Sequence, residues 1–137
     1  MKIIDSIVTQ AAGIAAIRRD LHAHPELCFT EVRTADVVAQ KLTEWGIPID
    51  RGMGTTGVVG IIKNGTSDRA VGLRADMDAL PIQEKNTFAH ASRNAGKMHA
   101  CGHDGHTAML LAAAQHFAKH RNFDGTVYVI FQPAEEG

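Results

Sequence analysis

The sequence lacks the features of membrane, secreted or nucleic-acid-binding proteins. Its 137 residues carry 14 Lys and Arg against 15 Asp and Glu, a formal net charge of -1, so no overall positive field would attract nucleic acid or an anionic membrane. Apolar runs such as residues 58–62 fall far short of the ~20 residues that span a bilayer. Asp5 and Gln10 interrupt the first residues, which argues against a secretory signal.

Cysteine and proline are also scarce, with two and four residues. A chain of this length buries roughly two-thirds of its unfolded surface, so it needs no disulfide scaffold. Cys28 and Cys101 are therefore expected to be metal-binding, catalytic or buried thiols in the cytoplasm. The sequence has no repeats, low-complexity segments or linkers, and its 45% hydrophobic and 21% charged residues are typical of one ordinary domain.

The apolar spacing predicts two helices in the first third of the chain. The first carries an apolar stripe and ends near Ala23, because Pro25 disfavours helical geometry in the residue before it. Its stripe consists of Ile3, Ile7, Ile14, Ile17 and Leu21. The second begins with Thr30 as its N-cap and ends at Gly46. Both helices are expected to cover one face of a sheet.

The remaining pattern alternates strands with one helix. Residues 58–62 and 70–75 predict strands that are separated by a turn at residues 64–65. Residues 87–99 predict a loop, and residues 105–120 predict a helix that Asp104 caps. Residues 126–131 predict a central strand. This order indicates an α/β fold, which we expect to be a three-layer sandwich with a mixed, mostly parallel sheet.

The glycine pattern at residues 52–57 fits G-x-G-x-x-G, which can bring backbone amides close to a pyrophosphate. That use requires the motif to open a helix, whereas here it opens a strand. The pattern therefore predicts a glycine-rich turn.

The densest group of chemical side chains is H-A-C-G-H-D-G-H at residues 99–106. In an extended chain Cys101 and His103 lie on the same side, and a thiolate with a neutral imidazole suits zinc or a similar divalent ion. The alternative is a histidine-rich turn with a buried Cys101. His106 falls on the apolar helix face and either packs there or supports a ligand. Asp104 could act as an N-cap, could orient His103, or could do both.

Carboxylates follow the predicted strands. Glu135 and Glu136 come after the last strand, and Asp76 and Asp78 end an earlier one. Functional crevices of α/β sheets lie at the carboxyl ends of strands, so these groups are expected to meet the cysteine and histidine cluster. One Glu would bind a cation while the other moves a proton. The alternatives are a solvated acidic turn and plain strand-ending aspartates.

Two other features predict structural roles. His22 and His24 flank a helix end, where an imidazole can interact with unpaired carbonyl groups. Cys28 has few ligand-type neighbours in sequence, so it is expected to be buried rather than reactive.

Four stretches resemble the M20 metallopeptidase family, more narrowly its amidohydrolase branch of hippurate hydrolases, N-acyl-amino-acid deacylases and plant auxin-conjugate hydrolases. They are residues 20–27, 73–81, 98–106 and 131–137. The resemblance runs along essentially the whole chain. H-A-C-G-H-D and P-A-E-E-G, in this order with one helix and one strand between them, are more specific together than either is alone.

The resemblance implies a zinc-peptidase-like catalytic domain with two divalent metal ions, such as Zn, Mn, Co or Ni. It implies that Cys101, His103 and Glu136 are metal ligands and that Asp78 orients them. From their positions beside the cluster, Asp104 and His106 are also expected to lie behind the ligands. Glu135 would be the general base that takes a proton from a metal-bridging water. The reaction would cleave an N-acyl amino acid to a carboxylic acid and a free amino acid.

Relatives in this family are nearly three times as long as the chain. Residues 1–137 are therefore expected to be the N-terminal part of the catalytic domain, with the rest of that domain, two metal-binding histidines and a lid and dimerisation domain absent. The chain alone is expected to have little activity, and the full-length protein to be a homo-oligomer. The alternatives are a thiol enzyme that uses Cys101 and a non-catalytic fragment that binds metal or a partner.

Overall fold

The computed structural model describes residues 4–137, which form a four-stranded mixed sheet with flanking helices. The elements are α1 (Asp5–Val8), α2 (Ala11–Ala23), α3 (Val32–Glu44), β1 (Ile49–Met53), β2 (Gly57–Asn64), β3 (Ala70–Asp76), α4 (His103–Lys119) and β4 (Gly125–Gln132). The strand order is β1-β2-β4-β3. In this part of the chain, none of the helices is both long and apolar enough to cross a membrane.

The α/β class and the mixed sheet are confirmed, but the sheet is not mostly parallel within these residues. β2 pairs antiparallel with β1 and with β4, and only β3 and β4 pair in parallel. A short turn joins β1 to β2, which allows only antiparallel pairing, whereas α4 carries the chain from β3 across to β4 and makes that pair parallel.

One face of the sheet forms the core. Side chains of α3 and α4 pack there against Val58, Ile62 and Val129. The opposite face carries Tyr128 and Ile130, which are partly exposed. α2 packs mainly on α4 rather than on the sheet, so the expectation that the first two helices share a sheet face holds for α3 alone. The expected third layer is not formed by residues 4–137.

The helix boundaries differ in detail from the sequence expectations. The first helix is interrupted at residues 9–10, although it ends at Ala23 as predicted; Ile3 lies outside the described residues. Thr30 is not the N-cap of α3, because its hydroxyl donates to the carbonyl of Leu27. Instead, the Glu26 carboxylate accepts the first free N–H groups of α3. Gly46, with φ of 70°, ends the helix as expected.

The prediction that Asp104 caps the third helix is wrong. α4 begins two residues earlier than predicted, at His103, after Gly102 in a left-handed conformation. Asp104 therefore lies inside the first turn, where its side chain is free to contact α2. β1 was missed because its residues are largely exposed and show no apolar alternation.

Candidate metal centre

The site lies at one edge of the sheet, where two parallel strands end side by side. β3 and β4 are neighbours, with Asp76 opposite Gln132. The segments after these strands, residues 77–78 and 133–136, therefore leave the sheet at the same edge, and the first turn of α4 lies beside them. The predicted convergence of the aspartates, the histidine cluster and the two glutamates is present.

His103 stands at the centre of this edge and is 4% exposed. Its Nδ1 lies 2.9 Å from the carbonyl oxygen of Asp78 and 3.1 Å from its Oδ1. A carbonyl oxygen only accepts, so Nδ1 donates its proton and Nε2 is the ring nitrogen left to face a cation. Nε2 faces Asp76 Oδ1 at 3.4 Å, Glu135 Oε2 at 3.8 Å and Glu136 Oε1 at 3.8 Å. Nε2 is thus surrounded by carboxylate oxygens that could share a cation with it.

Cys101, His103 and Glu136 each offer a ligand atom, and all three atoms lie within 4.8 Å of one another. A thiol, an imidazole nitrogen and a carboxylate are the donor types that zinc and similar ions take. Burial raises the pKa of the Cys101 thiol, and the nearby Glu136 and Asp78 carboxylates add to the increase. Metal uptake would therefore displace a proton from sulfur.

Asp78 connects the parts of the site and is 0% exposed. Its Oδ1 contacts His103, and its Oδ2 accepts the backbone N–H of Glu136 at 2.9 Å and the thiol of Cys28 at 3.4 Å. Burial alone would raise the pKa of Asp78, but the N–H groups of Glu136 and Glu135 and the Cys28 thiol outweigh it and hold that pKa below its usual value. Asp78 is thus an ionised acceptor that fixes the orientation of His103.

The two adjacent glutamates differ in exposure. The Glu135 side chain is 42% exposed, and that of Glu136 is 29% exposed. Glu136 belongs to the possible ligand group that it forms with Cys101 and His103. Glu135 belongs to neither of the two possible ligand groups in the described residues. The arrangement leaves Glu135 available to meet a molecule that approaches from solvent.

Asp76 and His106 contact each other beside His103. His106 Nδ1 lies 2.6 Å from Asp76 Oδ1, and its side chain is 47% exposed, so it does not pack on an apolar helix face. Asp76, His103 and His106 also form a possible ligand group. Asp76 therefore supports the site rather than simply ending a strand.

Asp104 belongs to a separate polar group. Its Oδ2 lies 3.0 Å from His22 Nδ1 and 3.2 Å from Arg18 Nε, while His103 is held by Asp78. The expectation that Asp104 orients His103 is thus not met. Nor does His22 contact carbonyl groups at the helix end, because its Nε2 lies 3.2 Å from Glu84 Oε1.

The neighbouring histidines follow different patterns. His24 Nδ1 lies 2.8 Å from the carbonyl of Asp20, as the helix-end interpretation predicts. His99 is buried, and desolvation lowers its pKa to about 4, so it is neutral near pH 7. It lies outside both ligand groups of residues 4–137.

Sequence reasoning missed the residues that hold residues 133–136, the acidic turn that carries Glu135 and Glu136. Glu31 is fully buried and accepts the backbone N–H of Ala134. The glycine-rich turn is present and also has a use, because Pro133 lies against Gly54 and Gly57, where a Cβ atom would come within 3.3 Å of its ring. Nothing in the spacing of Glu31 signalled this contact, since 103 positions separate it from Ala134.

Comparisons with known proteins show which proteins the chain is similar to. The model of Peptidase family M20/M25/M40 matches residues 72–137. Hippurate hydrolase of Campylobacter jejuni is 50% identical over 137 residues, all of this chain and 36% of the relative. N-acyl-L-amino acid amidohydrolase of Geobacillus stearothermophilus is 47% identical over 98% of this chain and 36% of the relative.

A solved structure extends the likeness to the fold. The Bacillus subtilis YXEP protein, described as a dinuclear metal binding peptidase from the M20 family, superposes with a TM-score of 0.86 at 45% identity. The match covers 97% of this chain and 37% of that one. The chain thus spans a little over a third of the length of these three proteins.

Proposed function

We propose that the chain, whose residues 72–137 match the model of peptidase family M20/M25/M40, forms part of a metal-dependent amidohydrolase acting on N-acyl amino acids. The products would be a carboxylic acid and a free amino acid. The names of its hippurate hydrolase and amidohydrolase relatives support this substrate class. The observation that carries the proposal is His103, whose Nδ1 is committed to Asp78 while Nε2 faces the carboxylates beside Cys101.

We assign Cys101, His103 and Glu136 as ligands of two divalent ions, with Zn, Mn, Co or Ni as candidates. The donor set and the fixed imidazole tautomer fit such ions. When bound, the ions would supply Lewis-acid polarisation of the amide carbonyl and favour the ionisation of water. Asp78 keeps the imidazole of His103 in the orientation that ligation requires.

Glu135 is the proposed general base. Its carboxylate is the more exposed of the adjacent pair and lies beside the proposed ligand His103. There Glu135 would accept the proton of the attacking water and then give it to the departing amine. Asp76 would hold His106 at the rim of the site through the 2.6 Å contact with its Nδ1.

A pair of isosteric substitutions tests the division of labour. In a chain completed to the length of its relatives, Glu135→Gln should keep its metal content and lower turnover of N-benzoylglycine by about 10²- to 10⁴-fold. Glu136→Gln should lower metal affinity, measured by titration calorimetry. Near-normal turnover of Glu135→Gln would remove the base role. Metal retained without any turnover in the unsubstituted protein would favour the non-catalytic alternative.

The thiol-enzyme alternative has less support, because burial raises the pKa of Cys101, whereas a nucleophilic cysteine needs a lowered one. Alkylation and chelation distinguish the two. A thiol enzyme would lose activity on alkylation and ignore chelators. The proposed hydrolase would lose activity when a chelator removes its metal and regain it when a divalent ion is restored.

We further propose that residues 1–137 correspond to the N-terminal part of the catalytic domain, and that further ligands and a lid and dimerisation domain belong to the complete protein. On this proposal the 137 residues alone have little hydrolase activity. The complete protein would be a cytoplasmic homo-oligomer that acts on small molecules and binds neither nucleic acid nor membranes. Substantial metal-dependent hydrolysis by the isolated chain would contradict the first point.

A further inference from the structure

We propose that Glu31 is a positioning residue that fixes the turn carrying Glu135 and Glu136. Glu31 is 0% exposed and lies just before α3. Its Oε1 accepts the backbone N–H of Ala134 at 2.9 Å, and its Oε2 accepts the hydroxyl of Thr56 at 2.7 Å. The inference rests on the proposed function, since it concerns the same pair of glutamates.

The burial of Glu31 distinguishes it from an ordinary surface glutamate. A buried carboxylate is unfavourable unless hydrogen-bond donors replace the water it loses. Both recorded side-chain partners of Glu31 are neutral donors from other segments, Thr56 in the β1–β2 turn and Ala134 after β4. The carboxylate therefore joins the start of α3 to the turn that carries the proposed base.

Ala134 has an unusual backbone conformation, with φ of 53°. A non-glycine residue in the left-handed region is strained, so the surrounding contacts must hold it there. Glu31 binds the N–H of Ala134, and Asp78 binds the N–H of Glu136 at 2.9 Å. Glu135 thus lies between two backbone groups that are each fixed by a buried carboxylate.

The glycine-rich turn closes the other side of this segment. A Cβ atom at Gly54 or Gly57 would lie 3.3 Å from the ring of Pro133, which is tighter than an ordinary contact. Thr56, the hydroxyl partner of Glu31, belongs to the same turn. Both contacts place the β1–β2 turn against the residues directly before the two glutamates.

Hydrogen exchange of the full 137-residue chain without metal tests the positioning directly. Glu31→Ala should accelerate exchange of the Ala134 amide about tenfold or more, because that N–H loses its acceptor. Glu31→Gln should stay within about threefold, since its amide oxygen can accept from Ala134 and its amide group can donate to the Thr56 oxygen. Glu31→Asp, one methylene shorter, serves if the alanine variant does not fold, with acceleration expected.

Glu26→Ala is the matched control. Glu26 is also a carboxylate at the start of α3, but it binds the N–H groups of Arg33 and Thr34 and does not contact the acidic turn. The substitution Glu26→Ala should lower the unfolding temperature and leave the exchange rate of the Ala134 amide unchanged. Zinc titration gives a second readout, in which Glu31→Ala should weaken binding about tenfold or more and Glu26→Ala should not.

Unchanged Ala134 exchange in Glu31→Ala would overturn the inference, as would equal losses in the Glu26 control. Accelerated exchange with unaltered zinc affinity would also overturn it, because the turn would then not position the ligand. If the unsubstituted chain, completed to the length of its relatives, takes up no zinc, the proposed metal function fails. In that case the exchange measurement still decides whether Glu31 holds the turn.

Discussion

His22 and His103 both lie among carboxylates, but the contacts of their ring nitrogens differ. His22 lies between Asp104 at 3.0 Å and Glu84 at 3.2 Å, one on each ring nitrogen. His103 gives Nδ1 to Asp78 and leaves Nε2 3.4 Å or more from the nearest carboxylate oxygen recorded. We refer to the group of four side chains that joins His22, Asp104, Glu84 and Arg18 as the His22 cluster.

The difference shows that residue types alone do not make a metal site. Each ring nitrogen of His22 already lies within hydrogen-bond distance of a carboxylate, so neither nitrogen faces an open position for a cation. In contrast, Asp78 fixes the tautomer of His103 and leaves a free nitrogen among further ligand types. The His22 cluster is therefore expected to stabilise the fold, and the His103 edge to bind metal.

The largest expected effect breaks this comparison at its centre. His103→Ala should lower the zinc affinity of the chain by about 100-fold or more, because it removes one of the three converging donors. His22→Ala should leave the affinity within about threefold, since its nitrogens are already paired. Titration calorimetry measures both. A loss of binding in His22→Ala with the fold intact would contradict the separation.

Stability should respond in the opposite way. His22→Ala leaves the buried carboxylates of Asp104 and Glu84 without their shared donor, so unfolding free energy should fall by about 3 kcal/mol in urea titration. His24→Ala is the control, because His24 Nδ1 contacts only the carbonyl and the partly exposed carboxylate of Asp20, and the change should cost about 1 kcal/mol. Equal losses would mean that the His22 cluster contributes no more than an ordinary hydrogen bond.

Asp78 and Asp104 sharpen the comparison between the carboxylates. Asp78→Asn removes the charge that supports His103 and weakens the bond from the Glu136 N–H, so zinc affinity should fall about 10- to 100-fold. Asp104→Asn should stay within about threefold, because its partners are Arg18 and His22. The ratio of the two affinities is the measurement, and a ratio near one would refute the role of Asp78.

The smallest expected effect is the contribution of Glu84 to the loss of stability at acidic pH. Burial alone would raise the pKa of Glu84, but hydrogen bonds from the Ser92 N–H, Asn86 and His22 bring it below the usual value. Its stabilising contribution is therefore complete above the ordinary Glu pKa and disappears as the pH falls through the lowered pKa.

Glu84→Gln should accordingly flatten the loss of stability between about pH 5 and pH 3, measured by urea unfolding at each pH. Glu44→Gln is the control on the surface of α3. Hydrogen bonds from Lys41 and Gln40 lower its pKa, yet exposed pairs contribute little, so the slope should change less. An unchanged slope in Glu84→Gln would show that this carboxylate does not couple folding to pH.

The sequence predicted which edge of the sheet carries the candidate site better than it predicted the contacts that hold the segments of this edge in place. Strand ends after β3 and β4, together with the Cys101 and His103 spacing, were enough to predict one shared edge, because parallel neighbours finish at the same side of a sheet. The resemblance of the motifs to a known family added the roles that remain proposals.

What could not be predicted are contacts between segments that are far apart in sequence. Asp104 is a residue type that favours N-caps, but the helix starts two residues earlier than predicted, so its carboxylate faces His22 of α2. Glu31 reaches Ala134 across 103 positions, and no local periodicity reports such a distance. The mixed pairing of the sheet likewise depends on where β4 inserts, which local propensity does not fix.

The order of strands in the sheet affects how the protein is made. β4 lies between β2 and β3 but follows both in the chain. During synthesis, β2 and β3 have no shared partner until residue 132 has left the ribosome, so their unpaired edges stay open to association with other nascent chains. We expect chaperone capture to be strongest over that interval, and the last strand to emerge to be the one that ends it.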